Sequence, residues 1–355
     1  MKITEIYLKG VGPFLDEVVS FENEWLGAPE ERVLFTGPNG CGKSTALRAV
    51  AMLWQMVPFW LSGRKGRPQQ VEAKQARLCL QQWEGAAVVF DGVKPFSEKP
   101  VGLVFGEEAW VEELVAKTSD VDWIGESVAS GNGRSQKRLL IPQEEWVSSW
   151  FKEIEILQRC FDSVTGPSVV YLDSEERQWV APTRNVSEPA PDLLSQRWLT
   201  RYQVSEDWKN GQLEGSLITL KTTQLHRYHE VIRGMNRFLI GKEIDPNIPP
   251  GENRLRVVIK GAKKKHHSLD ELSAGERQVL ILIYLVSRWL QKGGIVLIDE
   301  PDLYLHPSLV DPFLASIENL VEEKGGQLVL TSHAVNVWRR YENQGKRIEL
   351  QLKGG

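Results

Sequence analysis

Cysteine is scarce in this chain, and its spacing excludes two kinds of site. The 355 residues include three cysteines, Cys41, Cys79 and Cys160, and no two of them form a CxxC pair. An odd number of widely separated cysteines gives neither a disulfide framework nor a structural zinc site. We therefore expect free thiols in a reducing compartment, and the cytoplasm is the expected location.

The chain also lacks an excess of basic residues. Its formal net charge is −4, so charge as a whole draws it neither to nucleic acid nor to an anionic membrane. DNA contact would need a local patch, and two segments offer one: Lys263–His267, and a loop with Arg134, Lys137 and Arg138. A solvated loop is the alternative for each, so DNA stays an open partner.

Long apolar runs are absent as well. The longest strongly apolar run, Val279–Val286, is too short to span a bilayer. The first ten residues carry Lys2, Glu5 and Lys9, so they do not form the apolar region of a signal peptide. No membrane association is expected.

The two ends of the chain show the alternation of strands and helices typical of a nucleotide-binding core. Hydrophobic residues make up 41% of the sequence and charged residues 25%, as in ordinary globular proteins. Apolar and polar residues alternate over the first 21 residues, with a break at glycine and proline near residue 12. This pattern predicts an antiparallel β layer. A buried strand Arg32–Thr36 and a helix Ser44–Met56, limited by Pro58, are predicted next.

The C-terminal hundred residues repeat this α/β pattern. The predicted elements are a helix Gly275–Gln291, a strand Ile295–Ile298, a helix Ser308–Glu323 and a strand Gln327–Thr331. Parallel strands covered by helices are the expected result. We therefore assign residues 1–60 and 253–355 to one nucleotide-binding core.

Residues 61–252 lie between these ends and are predicted to be a folded insertion. Most of the thirteen tryptophans fall here, which provides enough bulky apolar surface to fold. Two stripes with spacing of three and four residues predict packed helices. The first stripe comprises Val147, Trp150, Ile154, Leu157 and Phe161, and the second Leu225, Tyr228, Ile232, Met235 and Leu239.

A glycine-rich loop follows the predicted strand Arg32–Thr36 and matches the full GxxxxGK[ST] phosphate-binding pattern. Its glycines allow backbone N–H groups to converge on a β-phosphate, and the next helix presents its N-terminus to the same anion. Lys43 is expected to reach the β- and γ-phosphates, and Ser44 to ligate Mg²⁺. The residues expected to bind nucleotide here are Gly37, Pro38, Asn39, Gly40, Cys41, Gly42, Lys43, Ser44 and Thr45.

Two adjacent acids follow the strand Ile295–Ile298. Asp299 is placed to hold the Mg²⁺ shell, and Glu300 to polarise the attacking water. Such neighbouring carboxylates would repel each other at a dry sheet edge without a cation. A strand that merely ends in Asp-Glu is common, and the phosphate loop upstream favours the functional interpretation.

A third motif, Leu272-Ser-Ala-Gly-Glu-Arg-Gln278, closely resembles the LSGGQ-type signature of ABC ATPases. Ser273, Gly275 and a helix N-terminus together make a second anion site. A plain helix cap at Ser273, with Glu276 completing a capping box, is the alternative and is compatible with the first. A cap alone does not need Gly275, so Ser273, Gly275 and Glu276 are expected to bind nucleotide.

The resemblance extends past the acids. His333 resembles the switch histidine of the family, which contacts the γ-phosphate, and Asp302 falls where the family has its D-loop. The triplet Leu305-His-Pro307 resembles the Leu-His-Pro that follows the sequence DEPE in RecF-like members. In this chain Asp302 stands in place of the second glutamate of DEPE. These motifs imply catalytic roles for Lys43, Glu300 and His333.

The wide separation of phosphate loop and signature resembles the soluble SMC, RecF and OLD-like branch, without a nuclease domain. It implies an α/β ABC ATPase head with a mixed, largely parallel sheet, an antiparallel β subdomain and a large, mostly helical insertion. The segment Val169–Arg177 resembles a strand followed by an arginine in that branch; an ordinary surface turn is the alternative. For the Q-loop glutamine, Gln81 and Gln82 are candidates only.

In this family the signature of one protomer meets the ATP held by the other. The resemblance thus implies a homodimer closed around two Mg-ATP, with Ser44 and Asp299 as the metal ligands and a higher oligomer left open. Three functions remain: a switch or clamp in DNA repair or anti-phage defence, acting with a separate effector such as a nuclease or toxin; an ATP-dependent scaffold with little turnover; and a transporter ATPase subunit. The short segment after His333 favours an effector on another chain.

Overall fold

The computed structural model describes residues 1–23, 25–63, 71–129, 136–159, 166–179, 194–202, 212–248, 254–261 and 266–351. The strands within these ranges are β1 (Ile3–Val11), β2 (Phe14–Ser20), β3 (Glu22–Asn23), β4 (Ala28–Pro29), β5 (Arg32–Thr36), β6 (Gly85–Phe90), β7 (Val101–Glu107), β8 (Asp122–Ala129), β9 (Gln136–Leu140), β10 (Val169–Leu172), β11 (Leu199–Arg201), β12 (Lys242–Ile244), β13 (Val257–Ile259), β14 (His266–His267), β15 (Ile295–Ile298), β16 (Gln327–Thr331) and β17 (Lys346–Glu349). The helices are α1 (Lys43–Leu61), α2 (Val71–Leu80), α3 (Glu108–Lys117), α4 (Glu145–Arg159), α5 (Gln212–Thr223), α6 (Leu225–Asn236), α7 (Ala274–Trp289), α8 (Pro307–Glu323) and α9 (Val335–Gln344).

A parallel sheet forms the centre of the molecule, in the order β11-β10-β15-β16-β5-β17. Its strands bury both faces: Ile295 and Leu297 of β15 join one hydrophobic core with α1, while Val296 and Ile298 join a second core with α7 and α8. Continuous apolar runs are what such doubly covered strands require. The strands predicted around the phosphate loop and the two acids, and the strand before His333, are confirmed.

A second sheet, in the order β2-β1-β6-β7-β8-β9, packs across α1 from the first. Its neighbours are antiparallel, except for β7 and β8. The predicted antiparallel layer at the start of the chain is confirmed as the pair of β1 and β2. The sheet therefore combines the N-terminal hairpin with four strands from the middle of the chain.

The middle of the chain contributes strands to both large sheets as well as the expected helices. Besides α2 to α6, it contributes β6–β9 to the second sheet and β10 and β11 to the central sheet. The reason is pairing across the sequence, because β6 aligns with β1 and β10 aligns with β15. The division into a core, residues 1–60 plus 253–355, and an insertion at 61–252 stays a prediction.

Helix α1 continues past Pro58 and ends at Leu61, so its predicted end at Met56 is wrong. Proline removes the N–H that would bond the carbonyl four residues earlier, on Trp54. That carbonyl instead accepts a hydrogen bond from Trp198 Nε1 at 3.0 Å. The two indole rings stack with centroids 4.3 Å apart, and Trp54 Nε1 donates to the carbonyl of Trp198. Tertiary contacts thus replace the missing helical bond.

The two predicted helical stripes lie in α4 and α6, except for Leu239, which follows the end of α6. Their apolar residues are buried, apart from the exposed Leu225 at the start of α6; Phe161 lies outside the described residues. Within the described ranges, no helix is long and apolar enough to cross a membrane. The stripes therefore serve packing within the fold.

Candidate functional site

The candidate site lies where the carboxyl ends of neighbouring parallel strands meet. The phosphate loop follows β5, Asp299 follows β15, His333 follows β16, and Asp173 follows β10. Ligands of open α/β sheets bind outside this edge. Strand order therefore gathers segments that are far apart in the sequence.

The phosphate loop needs its glycines for shape. Gly42 has a φ of 97° and Gly37 a φ of 138°, in the left-handed region that favours glycine. A Cβ on Gly42 would lie 2.4 Å from the ring of Phe14, and one on Gly37 would lie 2.3 Å from the carbonyl oxygen of Leu350. The N-terminal hairpin and the end of β17 thus hold the loop from two sides.

Lys43 is buried, with 6% of its surface exposed. Its Nζ donates to the carbonyl oxygens of Gly37 at 3.1 Å and Pro38 at 2.9 Å, while Cys41 packs beneath it as a buried thiol. Pro38, Asn39 and Gly40 form the solvent-exposed rim. The ammonium is therefore held inside the loop, where phosphate oxygens can replace the carbonyls.

Three hydroxyl groups surround the carboxylate of Asp299. Ser44 Oγ donates to its Oδ1 at 2.9 Å, Thr331 Oγ1 donates to the same oxygen at 2.6 Å, and Ser174 Oγ donates to Oδ2 at 2.7 Å. Asp299 itself is 2% exposed. The sequence pointed to Ser44; Ser174 and Thr331 were missed because only the parallel register of β10, β15 and β16 places them here.

These oxygen donors fit Mg²⁺. A hard cation prefers carboxylate and hydroxyl oxygens, and Mg²⁺ is usually bound by one or two carboxylates together with substrate phosphates. In the part of the chain that the structure describes, no group of three or more His, Cys, Asp and Glu is arranged to hold a metal ion. Ser44 and Asp299, whose oxygens lie 2.9 Å apart, are the pair in this cluster that could ligate such an ion.

Glu300 faces His333 across the edge of the sheet. Glu300 Oε1 lies 3.5 Å from His333 Nε2, and the backbone N–H of Glu300 donates to Thr331 Oγ1 at 2.9 Å. Glu300 has a φ of 45°, an uncommon value for a residue with a side chain. Burial, followed by the charge of Asp299, raises the pKa of the Glu300 carboxyl, while His333 acts in the opposite direction.

The loop after β10 carries a buried acid beside this group. Asp173 Oδ2 accepts hydrogen bonds from Tyr171 at 2.6 Å and from Arg48 of α1 at 3.1 Å. Burial acts to raise the pKa of Asp173, but these bonds and the N–H of Glu175 hold it below its ordinary value. The acid thus stays ionised and fixes the loop that presents Ser174. The segment is strand β10 followed by a turn that exposes Glu175, while the flanking Asp173 and Arg177 are buried.

The signature forms the helix cap that the sequence allowed. Ser273 Oγ accepts from the N–H of Glu276 at 3.3 Å, and Glu276 Oε2 accepts from the N–H of Ser273 at 2.8 Å. Glu276 also pairs with Lys242 at 3.0 Å. A Cβ on Gly275 would lie 2.6 Å from the carbonyl oxygen of Tyr304. Gly275 is therefore required by a contact inside its own chain, a structural reason that sequence reasoning missed.

The other family positions lie at the periphery. Gln81 and Gln82 are exposed in the turn after α2, where their N–H groups bond Arg77 and Cys79. His306 caps α8, because its Nδ1 accepts from the N–H of Ser308. Asp302 belongs to the turn that leads there. Nothing in these contacts brings either glutamine to Asp299.

Of the two basic segments, Arg134 and Lys263–Lys265 lie outside the described residues, and His266 and His267 form β14. Lys137 lies 4.0 Å from Glu126 and Arg138 lies 3.5 Å from Glu112. The described basic side chains of the loop after Arg134, Lys137 and Arg138, thus face carboxylates of their own chain.

Two protein-family models match the chain. Residues 173–337 match a family described as "AAA domain, putative AbiEii toxin, Type IV TA system", and residues 1–58 match a family described as "AAA domain". The second range contains the phosphate loop. The first contains the signature, the two acids and His333.

Individual proteins match at low identity. Protein ea59 of Escherichia phage lambda is 25% identical over 144 residues, which are 40% of this chain and 24% of that protein. The SMC head domain from Thermotoga maritima is 13% identical with a TM-score of 0.43, over 96% of this chain and 92% of that one. An SMC head bound to the C-winged helix domain of ScpA is 15% identical with a TM-score of 0.46, over 94% and 91%.

Proposed function

We propose that this chain, which matches two AAA-domain family models, is an ABC/SMC/RecF-like P-loop ATPase that binds and hydrolyses Mg-ATP as a homodimer. The observation that carries the proposal is the convergence of three hydroxyls on Asp299, one of them from the phosphate loop, with Glu300 beside it. Such a cluster has a clear use where a cation and phosphates must be held together.

The phosphate loop and Asp299 bind and orient the substrate. Lys43 exchanges its two carbonyl partners for the β- and γ-phosphates, and Ser44 and Asp299 would hold the metal ion. A Mg²⁺ bound there would neutralise the charge that develops on the phosphates. Asp299 is already held by three hydroxyls, so its carboxylate is oriented before the substrate binds.

Glu300 is the proposed base. Its carboxylate accepts a hydrogen bond from the attacking water and takes up its proton as the water oxygen bonds to the γ-phosphorus. The bond from that phosphorus to the bridging oxygen of ADP breaks, and His333 contacts the γ-phosphate. A raised pKa favours this role, because a base works best when its pKa approaches the working pH.

The signature is proposed to complete the pocket of a second copy. Ser273 and Ala274 are exposed, and the first N–H groups of α7 form a helix N-terminus, which attracts anions. In this chain the signature contacts Lys242 and Tyr304 rather than the phosphate loop. A head-to-tail dimer would bring it to the γ-phosphate of the partner, so ATP closes the dimer and hydrolysis opens it.

We further propose that this opening and closing acts as a switch or clamp with a separate effector, such as a nuclease or toxin, in anti-phage defence or DNA repair. The name of the matching family refers to a toxin of a toxin–antitoxin system, which supports the first setting. A gene for such an effector next to this one would support the proposal further. A neighbouring permease gene would favour a transporter ATPase instead.

The enzymatic part is tested by ATP hydrolysis in the wild type and in Glu300→Gln. We expect the variant to bind ATP but to lose about 100-fold or more of its turnover, as for other acid–base groups. Glu98→Gln, in an exposed loop, is the control and should match the wild type. A wild type that binds ATP without turnover would support the scaffold alternative, and equal turnover in Glu300→Gln would remove Glu300 as the base.

A further inference from the structure

Arg177 is a buried cation directly beneath the candidate catalytic residues. It is 2% exposed, and its Nη2 donates to the carbonyl oxygens of Asp299 at 2.6 Å and Glu300 at 3.0 Å. Its Nε donates to the carbonyl oxygen of Asp173 at 3.1 Å. One guanidinium therefore fixes the backbone of both acids and of the loop that carries Ser174.

The backbone of Arg177 is in turn held by the signature helix. Gln278 lies one turn beyond Gly275 in α7, and its Nε2 donates to the carbonyl oxygen of Arg177 at 2.6 Å. Gln278 is 9% exposed, and its Oε1 has no hydrogen-bond partner. A single bond thus connects α7, through Arg177, to Glu300.

A second contact joins α7 to the turn that follows Glu300. Gly275 packs against the carbonyl oxygen of Tyr304 so closely that a Cβ would not fit. Tyr304 has a φ of 66° and follows Glu300 by a single turn, in which the N–H of Leu303 bonds the carbonyl of Glu300. A displacement of the first turn of α7 therefore reaches Glu300 from both sides.

Burying a guanidinium is costly unless its hydrogen bonds and charge are compensated. Burial lowers the pKa of Arg177 to about 10, and the charges of Asp299, Asp173 and Glu300 oppose that shift. The fork geometry of arginine allows it to hold several acceptors at once, which lysine does not do. Arginine therefore suits this position through the geometry of its hydrogen bonds as well as through its charge.

We propose that Arg177 is a positioning residue that couples the two ATP sites of the dimer. It links Glu300, which serves the site on its own chain, to α7, whose signature serves the site on the partner. Engagement of the signature by the partner's ATP then sets the position of Glu300 in its own site. The inference rests on the proposed ATPase dimer and adds a specific connection between its two sites.

The test compares Arg177→Lys and Gln278→Leu with the wild type in ATP hydrolysis and in binding of a fluorescent ATP analogue. Arg177→Lys should lower kcat by about tenfold or more, as expected from misplacing a catalytic group, with analogue affinity within about twofold of the wild type. Gln278→Leu breaks only the link to α7, so the Hill coefficient for ATP should fall toward one while analogue affinity is kept. Arg233→Lys, on the exposed face of α6, should leave all three quantities unchanged.

The outcomes separate the two proposals. Absence of ATP-dependent dimerisation or of turnover in the wild type would overturn the proposed function itself. Suppose instead that the wild type turns over ATP with a Hill coefficient above one. If both variants then keep the wild-type kcat and Hill coefficient, the coupling role alone is overturned. Should Arg177→Lys fold poorly, Gln278→Leu still decides, because it removes one hydrogen bond and keeps the guanidinium.

Discussion

At the residue scale, the candidate site is one carboxylate held by hydroxyls from three segments of the chain. Asp299 receives Ser44 from the phosphate loop, Thr331 from β16 and Ser174 from the loop after β10. The three bonds leave the carboxylate in one orientation. A fixed ligand loses less freedom when a cation binds, so the hydroxyls should be important for magnesium affinity.

Ser174→Ala should therefore raise the Mg²⁺ concentration that the reaction requires. Loss of a hydrogen bond to a metal-ligating group typically costs about tenfold in metal affinity, so the Mg²⁺ concentration for half-maximal turnover should rise by about that factor. A Mg²⁺ titration at fixed ATP measures it, and the Mg²⁺-dependent part of nucleotide binding gives a second readout. Ser149→Ala, exposed on α4, is the control. Superimposable titrations for Ser174→Ala and the wild type would remove Ser174 from this role.

The raised pKa of Glu300 gives a prediction for pH dependence. A base must be ionised, and its pKa lies above the ordinary 4.5, first through burial and next through Asp299. The acidic limb of kcat/KM should thus lie at higher pH than for an ordinary glutamate, with activity lost as the pH falls through it. His333→Asn removes a charge that lowers this pKa, so the limb should move further upward. A pH–rate profile tests both statements, and a limb that stays in place in His333→Asn contradicts the second.

At the scale of elements, α1 shows how tertiary contacts extend a helix past a proline. The carbonyl of Trp54, which lacks its helical partner because of Pro58, is satisfied by the indole of Trp198. Helix α1 is packed between the two sheets, so this bond lies in the middle of the molecule. The length of the helix after the phosphate loop depends on it.

A double-mutant cycle measures this arrangement. Trp198→Phe leaves a buried carbonyl without its partner and should cost about 1–3 kcal/mol of the free energy of unfolding. In a Pro58→Ala background the restored N–H can bond Trp54, so the same substitution should cost less, with a coupling of about 0.5 kcal/mol or more. Urea unfolding of the four proteins gives the energies. Equal costs in both backgrounds would show that the indole does not substitute for the helical bond.

Gly275→Ala tests the contact between α7 and the turn after Glu300. Its new Cβ would lie 2.6 Å from the carbonyl oxygen of Tyr304, so one of the two elements must shift. We expect turnover to fall by about tenfold or more while circular dichroism stays unchanged. Gly234→Ala in α6 is a matched control, because its Cβ would meet only Ile283, at an ordinary 3.7 Å. Full activity in Gly275→Ala would show that the contact is dispensable.

The elements also show what the sequence could predict. Strands that adjoin a motif, such as Ile295–Ile298, have an apolar run and a marked end, and their bounds are confirmed. The pairing of strands that are far apart in the sequence has no such local signal. The sequence therefore did not predict β6–β9 in the same sheet as β1. The same limit applies to the site, where Ser44 belongs to a motif but Ser174 and Thr331 are ordinary residues until the sheet places them beside Asp299.

At the scale of the whole molecule, the proposed ATP pocket draws on two separate parts of the chain. The phosphate loop, Asp299 and Glu300 lie together at the sheet edge, whereas Ser273 and Gly275 contact other parts of their own chain. The central claim is that two copies join these halves around ATP. The dimer must then depend on the γ-phosphate, which the signature is proposed to recognise.

The most direct measurement is the molar mass of the hydrolysis-deficient Glu300→Gln protein by size-exclusion chromatography with light scattering. We predict the mass of two chains with Mg-ATP, of one chain with Mg-ADP, and of one chain with Mg-ATP when Ser273→Arg is added. A protein that binds Mg-ATP and keeps the mass of one chain, or a dimer unaffected by Ser273→Arg, would contradict the account.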